Sequence, residues 1–156
     1  MTLFTKILLC YDSTQEGRRA LLQGAELAEK LGTETPLLAV VNGLSGGGMV
    51  ELPSQMALRD DERNVKEVLL EGVRRLEARG LKATGHLAHG RPIDIIPEFA
   101  RTRGVELIVI GHRPCGILAR WWAGPGNAQL LDRIACSILI AVTPADQDAP
   151  AAPATR

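Results

Sequence analysis

The sequence predicts a single α/β domain in which a parallel sheet is covered by helices on both faces. Three observations point there. Apolar strand-like runs alternate with helix-period segments in the order β-α-β-α-β-α-β-α-β. The run "TPLLAVVN" is continuously apolar rather than alternating, the pattern of a strand buried on both faces. The chain has 156 residues, 46% hydrophobic and 23% charged, which suits one globular domain with a real core.

Each element has its own warrant. Residues 3–10, "LFTKILLC", read as the first strand, and "YDST" as a turn. "QEGRRALLQGAELAEKLG" places Leu21, Ala25, Ala28 and Leu31 at helical spacing, with Thr14 as N-cap and Gly32 as the stop. "TPLLAVVN" is the second strand. "GLSGGGMVELPSQM" is a loop, because a glycine triplet does not hold regular structure cheaply. A long helix from about Ala57 to Arg79 lines Val65, Val68, Leu69, Gly72, Val73 and Leu76 along one face, and Gly80 ends it.

"KATGHLAHG" is a weaker third strand. "RPIDIIPEFARTRG" is a short helix with Ile93, Ile96 and Ala100 on one face, Pro92 in its first turn and Gly104 as its stop. Pro97 conflicts with a helix interior, where proline loses a hydrogen bond; it kinks the helix or moves its start. "VELIVIG" is the fourth strand. A helix over Asn127 to Ala135 and the fifth strand, "CSILIAV", complete the domain within residues 1–143. The Pro- and Ala-rich tail 144–156 has no periodicity and is expected to be disordered.

Bulk properties exclude several functions. Lys plus Arg equals Asp plus Glu, so the formal net charge is zero. Nucleic-acid and anionic-membrane binders need a positive excess. No apolar stretch spans a bilayer and no secretory signal is expected at the N-terminus, so a cytoplasmic protein is expected. Cys10, Cys115 and Cys136 fit a reducing compartment and show no metal-ligand spacing.

In open parallel sheets a ligand binds beyond the carboxyl ends of the strands, at the switch point. Asp12 follows the first strand, Val41 and Asn42 end the second, and "GHRPCGILARWWAGPGN" (residues 111–127) follows the fourth. Strands one and four are expected to be neighbours there. A glycine-bearing loop between strand and helix is a familiar phosphate cradle, yet this one contains Pro114 and Pro125.

"KILLCYDSTQEGRRALLQGAELAEKLG", "HGRPIDIIPEFARTRGVELIVIGHR" and "LARWWAGPGNAQLLDRIACSILIAV" together resemble the universal stress protein family in order, over residues 3–143. The resemblance implies a Rossmann-like fold of the adenine nucleotide alpha hydrolase type with strand order 3-2-1-4-5. It implies a homodimer through the last strand and a role in stress tolerance rather than turnover. It also implies a site for ATP or AMP, without a dedicated metal, at Asp12, Val40, Val41, Gly111 and Gly124, to which the chemistry of the loop adds His112, Arg113, Gly126 and Asn127.

ATP-binding members resemble the pattern Gly, two residues, Gly, nine residues, Gly, then Ser or Thr. Gly111 and Gly124 match it; Pro114 and Pro125 replace the second glycine and the hydroxyl residue. Each proline removes a backbone N–H, and Pro125 removes a hydroxyl as well. A hydrogen bond to a charged group is worth roughly 1.5–3 kcal/mol. Losing two or three weakens binding by roughly two to five powers of ten. Gly126 and Asn127 at a helix start, with His112, Arg113 and Arg120, offer partial replacement.

The sequence therefore supports a regulatory binding protein, not an enzyme, whose crevice takes adenine nucleotide weakly or not at all. The alternatives are an ATP-binding member with slow or no hydrolysis, and a dimeric interaction module using Trp121 and Trp122. Asp12 serves a ligand or caps the next helix; Val40 and Val41 face a base or are core strand residues. His86 and His89 are three apart on a strand, poor spacing for a shared metal. Cys115, near Arg113 and Arg120, is a candidate redox-sensitive thiol or a spectator.

Overall fold

Apolar runs too short for helices form the sheet: β1 (Ile7–Tyr11), β2 (Glu34–Val41), β3 (Lys82–His89), β4 (Leu107–His112) and β5 (Ser137–Val142). The amphipathic segments form α1 (Gln15–Leu31), α2 (Gln55–Ala78) and α3 (Pro92–Arg103). The computed structural model describes residues 3–11, 15–41, 55–112 and 131–142, with side chains for 3–11, 18–40, 62–111 and 131–142. All neighbouring strands are parallel, in the order β3-β2-β1-β4-β5. This is the order that the family resemblance implies.

The pleat divides the strand side chains between two cores. On one face Ile7, Leu9, Tyr11, Leu37, Ala39, Leu107 and Val109 pack against α1 and α2 through Leu21, Ala25, Ala28, Leu69 and Leu76. On the other, Leu8, Leu38, Ile108 and Ile110 pack against Ile96 and Ala100 of α3. The expected helix faces are therefore the buried ones, with Val65, Val68 and Val73 packed at the margin of the first core.

Close approach is built into two helices. A Cβ at Gly24 of α1 would lie 2.3 Å from Leu9 Cδ2, and one at Gly72 of α2 would lie 2.7 Å from Leu37 Cδ2. Both helices thus sit nearly on the sheet, α1 over β1 and β4, α2 over β2. The expected stops hold: Gly32, Gly80 and Gly104 have left-handed backbone, at φ 65°, 79° and 64°.

Several boundaries differ from expectation. β1 starts at Ile7 rather than residue 3, because the backbone N–H groups of Thr5 and Lys6 go to the Glu106 carboxylate and Leu3 is exposed. β4 starts at Leu107, because the Val105 N–H turns back to the Ala100 carbonyl and closes α3. β5 starts at Ser137, and α2 begins two residues before Ala57. Pro97 neither ends α3 nor moves its start: Pro92 occupies the first turn and the helix continues to Arg103. Interior proline costs about 3 kcal/mol; here the ring is buried alongside Ile96 and Ala100, and that packing offsets the lost bond. Residues 131–133 are helical. Thr14, the loop over 42–54, the helix start at Asn127 and the tail lie outside the described residues.

Candidate functional site

The site is set by where the chain reverses its direction of travel across the sheet. From β1 it moves through α1 to β2 and then β3; from β4 it moves to β5 on the other side. β1 and β4 are hydrogen-bonded neighbours, in register from Ile7 opposite Leu107 to Cys10 opposite Ile110. The expected switch point therefore exists. From β1 the sheet continues to β2 on one side and from β4 to β5 on the other, the arrangement in which open parallel sheets form a ligand crevice beyond the strand ends.

The sequence-predicted residues fall around this point as follows. Gly111 is buried in β4, opposite Ala141 of β5, and His112 closes the strand opposite Val142. Val40 and Val41 end β2, where they pair with Ala88 and His89 of β3. Val40 is half-buried and packs at the margin of the α3-side core. Asp12, Arg113, Gly124, Gly126 and Asn127 lie outside the described residues, as do Pro114, Cys115, Arg120, Trp121, Trp122 and Pro125. In the sequence Asp12 directly follows Tyr11, and residues 113–130 directly follow His112.

The strand ends also present groups that local sequence does not reveal. Tyr11, the last residue of β1, is buried on the α1/α2 face. His89, the last residue of β3, lies in register with Val41, and its Nε2 is 3.7 Å from Glu62 Oε1 of α2. The pairing register between distant strands brings these residues together, and no periodic pattern within one segment encodes it.

At the opposite end of the sheet a cavity of about 330 Å³ is lined by Glu29, Gly32, Thr33, Glu34, Arg79, Gly80, Leu81 and Lys82. It is a weaker candidate. Arg79 pairs with Glu29 and Glu34 with Lys6, each at 3.4 Å, so most of its charge is internally satisfied. The C-terminal ends of α1 and α2 meet there, and their dipoles repel anions.

The two other groups of interest have structural partners. His86 meets the Phe99 ring edge-on, with centroids 5.0 Å apart, and shares a 3.1 Å hydrogen bond with Thr84 Oγ1. Burial, and secondarily Arg103, holds its pKa below the ordinary value. Cys10 and Cys136 are half-buried in the α3-side core, and burial raises the Cys136 thiol. Among the described residues no group of three His, Cys, Asp or Glu side chains is placed to hold a metal ion. No described helix is long and apolar enough to cross a membrane.

Known proteins share this architecture. The family model described as "Universal stress protein family" matches residues 3–141. Universal stress protein YxiE of Bacillus subtilis is 30% identical over 150 residues, covering 88% of this chain and 99% of the relative. A universal stress protein family structure from Burkholderia pseudomallei superposes with a TM-score of 0.70 at 20% identity, covering 90% of this chain and 97% of the other. One from Arabidopsis thaliana, solved with AMP bound, superposes with a TM-score of 0.64 at 18% identity, covering 97% and 99%. The sheet order, the glycine-bearing segment after β4 and the match along nearly the whole chain agree: this chain belongs to the universal stress protein family.

Proposed function

We propose that this protein is a regulatory binding member of its family, acting in the stress response without robust catalysis. Its crevice accepts adenine nucleotide through the nucleoside end and gains little from the phosphates. The observation that supports this reading is the adjacency of β1 and β4, with β2 on the other side of β1, which is the switch point where sheets of this kind bind ligands. An AMP-bound relative of the same fold supports the ligand class. The weak phosphate end follows from Pro114 and Pro125, which stand where the binding pattern has donors.

The test is to denature the purified protein, assay the supernatant for released nucleotide, and titrate ATP and AMP by calorimetry. ATP should bind no more than a few-fold tighter than AMP. A Pro114→Gly, Pro125→Ser double variant should gain ATP affinity by about tenfold or more, the equivalent of one restored hydrogen bond to a charged group. Stoichiometric co-purified ATP with micromolar affinity for the unaltered protein would overturn the reading.

Association through β5 is the second part of the proposal. Leu139, Ile140 and Val142 are exposed on this edge strand, at 38%, 39% and 57%. An exposed apolar edge is a template for pairing with another strand, and a second copy of the same chain offers the matching one.

A further inference from the structure

We infer that Glu62 and His89 read the amino edge of a purine bound beyond the ends of β2 and β3. The inference rests on the adenine-nucleotide reading above and assigns these two residues the choice of base. Three observations carry it. His89 is the last residue of β3 and lies in register with Val41, the last residue of β2, so it stands at the carboxyl end of the sheet beside the end of β2. Residues paired in register share a face of the sheet, and Ala39 and Leu87, one pair earlier on that face, belong to the α1/α2 core. On that face the His89 imidazole meets Glu62 of α2 at 3.7 Å. Both side chains are about half exposed, at 55% and 49%, so packing does not consume them. His86, by contrast, is committed to Phe99 and Thr84.

The chemistry selects the base over the phosphate. A carboxylate is an acceptor only, so it repels phosphate and welcomes an N–H donor. The 6-amino group of adenine is such a donor, whereas the 6-oxo group of hypoxanthine would set an acceptor against an acceptor. His89 supplies a flat face and a ring nitrogen beside that edge, and its contact with Glu62 orients the carboxylate. The phosphate end has its own place. β3 and β4 are three strand spacings apart, about 14 Å, and Arg113 and Arg120 follow β4 in the sequence.

The test compares AMP with IMP on the full-length protein, following the amide signals of Tyr11, His89 and Gly111 by NMR, which registers millimolar binding. AMP should bind about tenfold tighter than IMP, the low end for a hydrogen bond to a charged group because the pair is solvent-exposed. Glu62→Gln, which can donate as well as accept, should bring the ratio close to one while AMP still binds. His89→Ala should weaken AMP and lower the ratio, with an unchanged circular dichroism spectrum. If AMP shifts the strand-end signals but neither variant changes the ratio, the assignment of Glu62 and His89 is overturned and the nucleotide reading stands. If AMP shifts none of these signals, the nucleotide reading itself falls and the inference falls with it.

Discussion

The two edges of the sheet are built on opposite plans. β3 ends one side and carries Lys82, Thr84, His86 and His89, of which Lys82, Thr84 and His89 are exposed. β5 ends the other and turns Leu139, Ile140 and Val142 to solvent, with Ser137 as its one polar residue. Among the described residues, no strand pairs with the outer side of either edge. Charged and polar side chains blunt such an edge, and apolar ones invite a partner. The contrast makes β5, not β3, the edge on which the proposed association would fall. It also places that side next to the candidate site: Val142, the most exposed of these three, pairs with His112, the residue before the glycine-bearing segment.

The largest expected effect breaks the apolar edge. Ile140→Lys should raise the dissociation constant of the proposed β5 homodimer by about a hundredfold or more. Full burial of an isoleucine is worth about 1.5–3 kcal/mol; Ile140 has 39% of its surface left to bury, a two-fold interface loses that share twice, and two lysine charges at the seam add a desolvation cost. Thr84→Lys on the β3 edge should leave the association unchanged. Sedimentation velocity over a concentration series separates the two. A monomeric unaltered protein, or equal effects at both edges, would break the comparison.

A smaller effect tests whether the two halves of the sheet are packed to the same tolerance. α1 covers the β1–β4 side and α2 the β2–β3 side, each through a glycine. Alanine gains about 1 kcal/mol of helix propensity over glycine, while overpacking a tight core costs about 1–3 kcal/mol. At Gly24 the new Cβ meets buried Leu9 at 2.3 Å and Val109 at 3.3 Å, so Gly24→Ala should be net destabilising by about 1–2 kcal/mol. At Gly72 the nearest atom is 2.7 Å away, and the substitution should cost less. Urea unfolding of both variants gives the order; Gly72→Ala costing more would reverse it.

Local pattern made most of this fold legible. The helix faces and glycine stops follow from periodicity and from which residues tolerate positive φ. The adjacency of β1 and β4 follows from the switch-point reading and from the strand order that the family resemblance implies. Boundaries were less legible, because they depend on distant partners. β1 starts late since Glu106, a hundred residues on, captures the backbone of Thr5 and Lys6. Pro97 reads as a break because propensity is local, while the burial that keeps it in α3 comes from the sheet. For the site, Gly111 and Val40 are signalled by motif. The contact between His89 and Glu62 is not, because it needs the β2–β3 register and the position of α2 at once.

Glu106 ties the β5 side to the centre of the sheet, so its titration should be felt there. Its Oε2 accepts from the Thr5 N–H at 2.6 Å, the Thr5 hydroxyl at 2.7 Å and the Lys6 N–H at 3.3 Å. Its backbone continues the tie, donating to Lys6 and accepting from Ser137 of β5. The Thr5 backbone bond first, then the hydroxyl bond, hold the carboxyl below its ordinary value. A depressed carboxyl contributes stability above its unfolded pKa, and that contribution is lost as pH falls through the folded one. Glu106→Gln should lower the melting temperature at neutral pH, and the gap to the unaltered protein should close in acid. A gap that persists unchanged in acid would mean that the ionised carboxylate is not what holds β1.

The smallest effect lies on the polar edge, at His86. Burial first, and then the charge of Arg103, lower its pKa from the ordinary 6.5. Arg103 is held nearby, its guanidinium 5.3 Å from the centre of the Phe99 ring that His86 also meets. As pH falls below 6.5 the unfolded chain takes up the proton first, so the folded state loses stability from there down to the lowered folded value. Arg103→Ala should move the His86 pKa upward only part of the way, because burial is the larger cause and remains. NMR titration of the His86 ring proton measures this directly. Full return to the ordinary value would make Arg103 the dominant cause, and β3 would then be an edge governed by charge rather than by the packing of its histidine on α3.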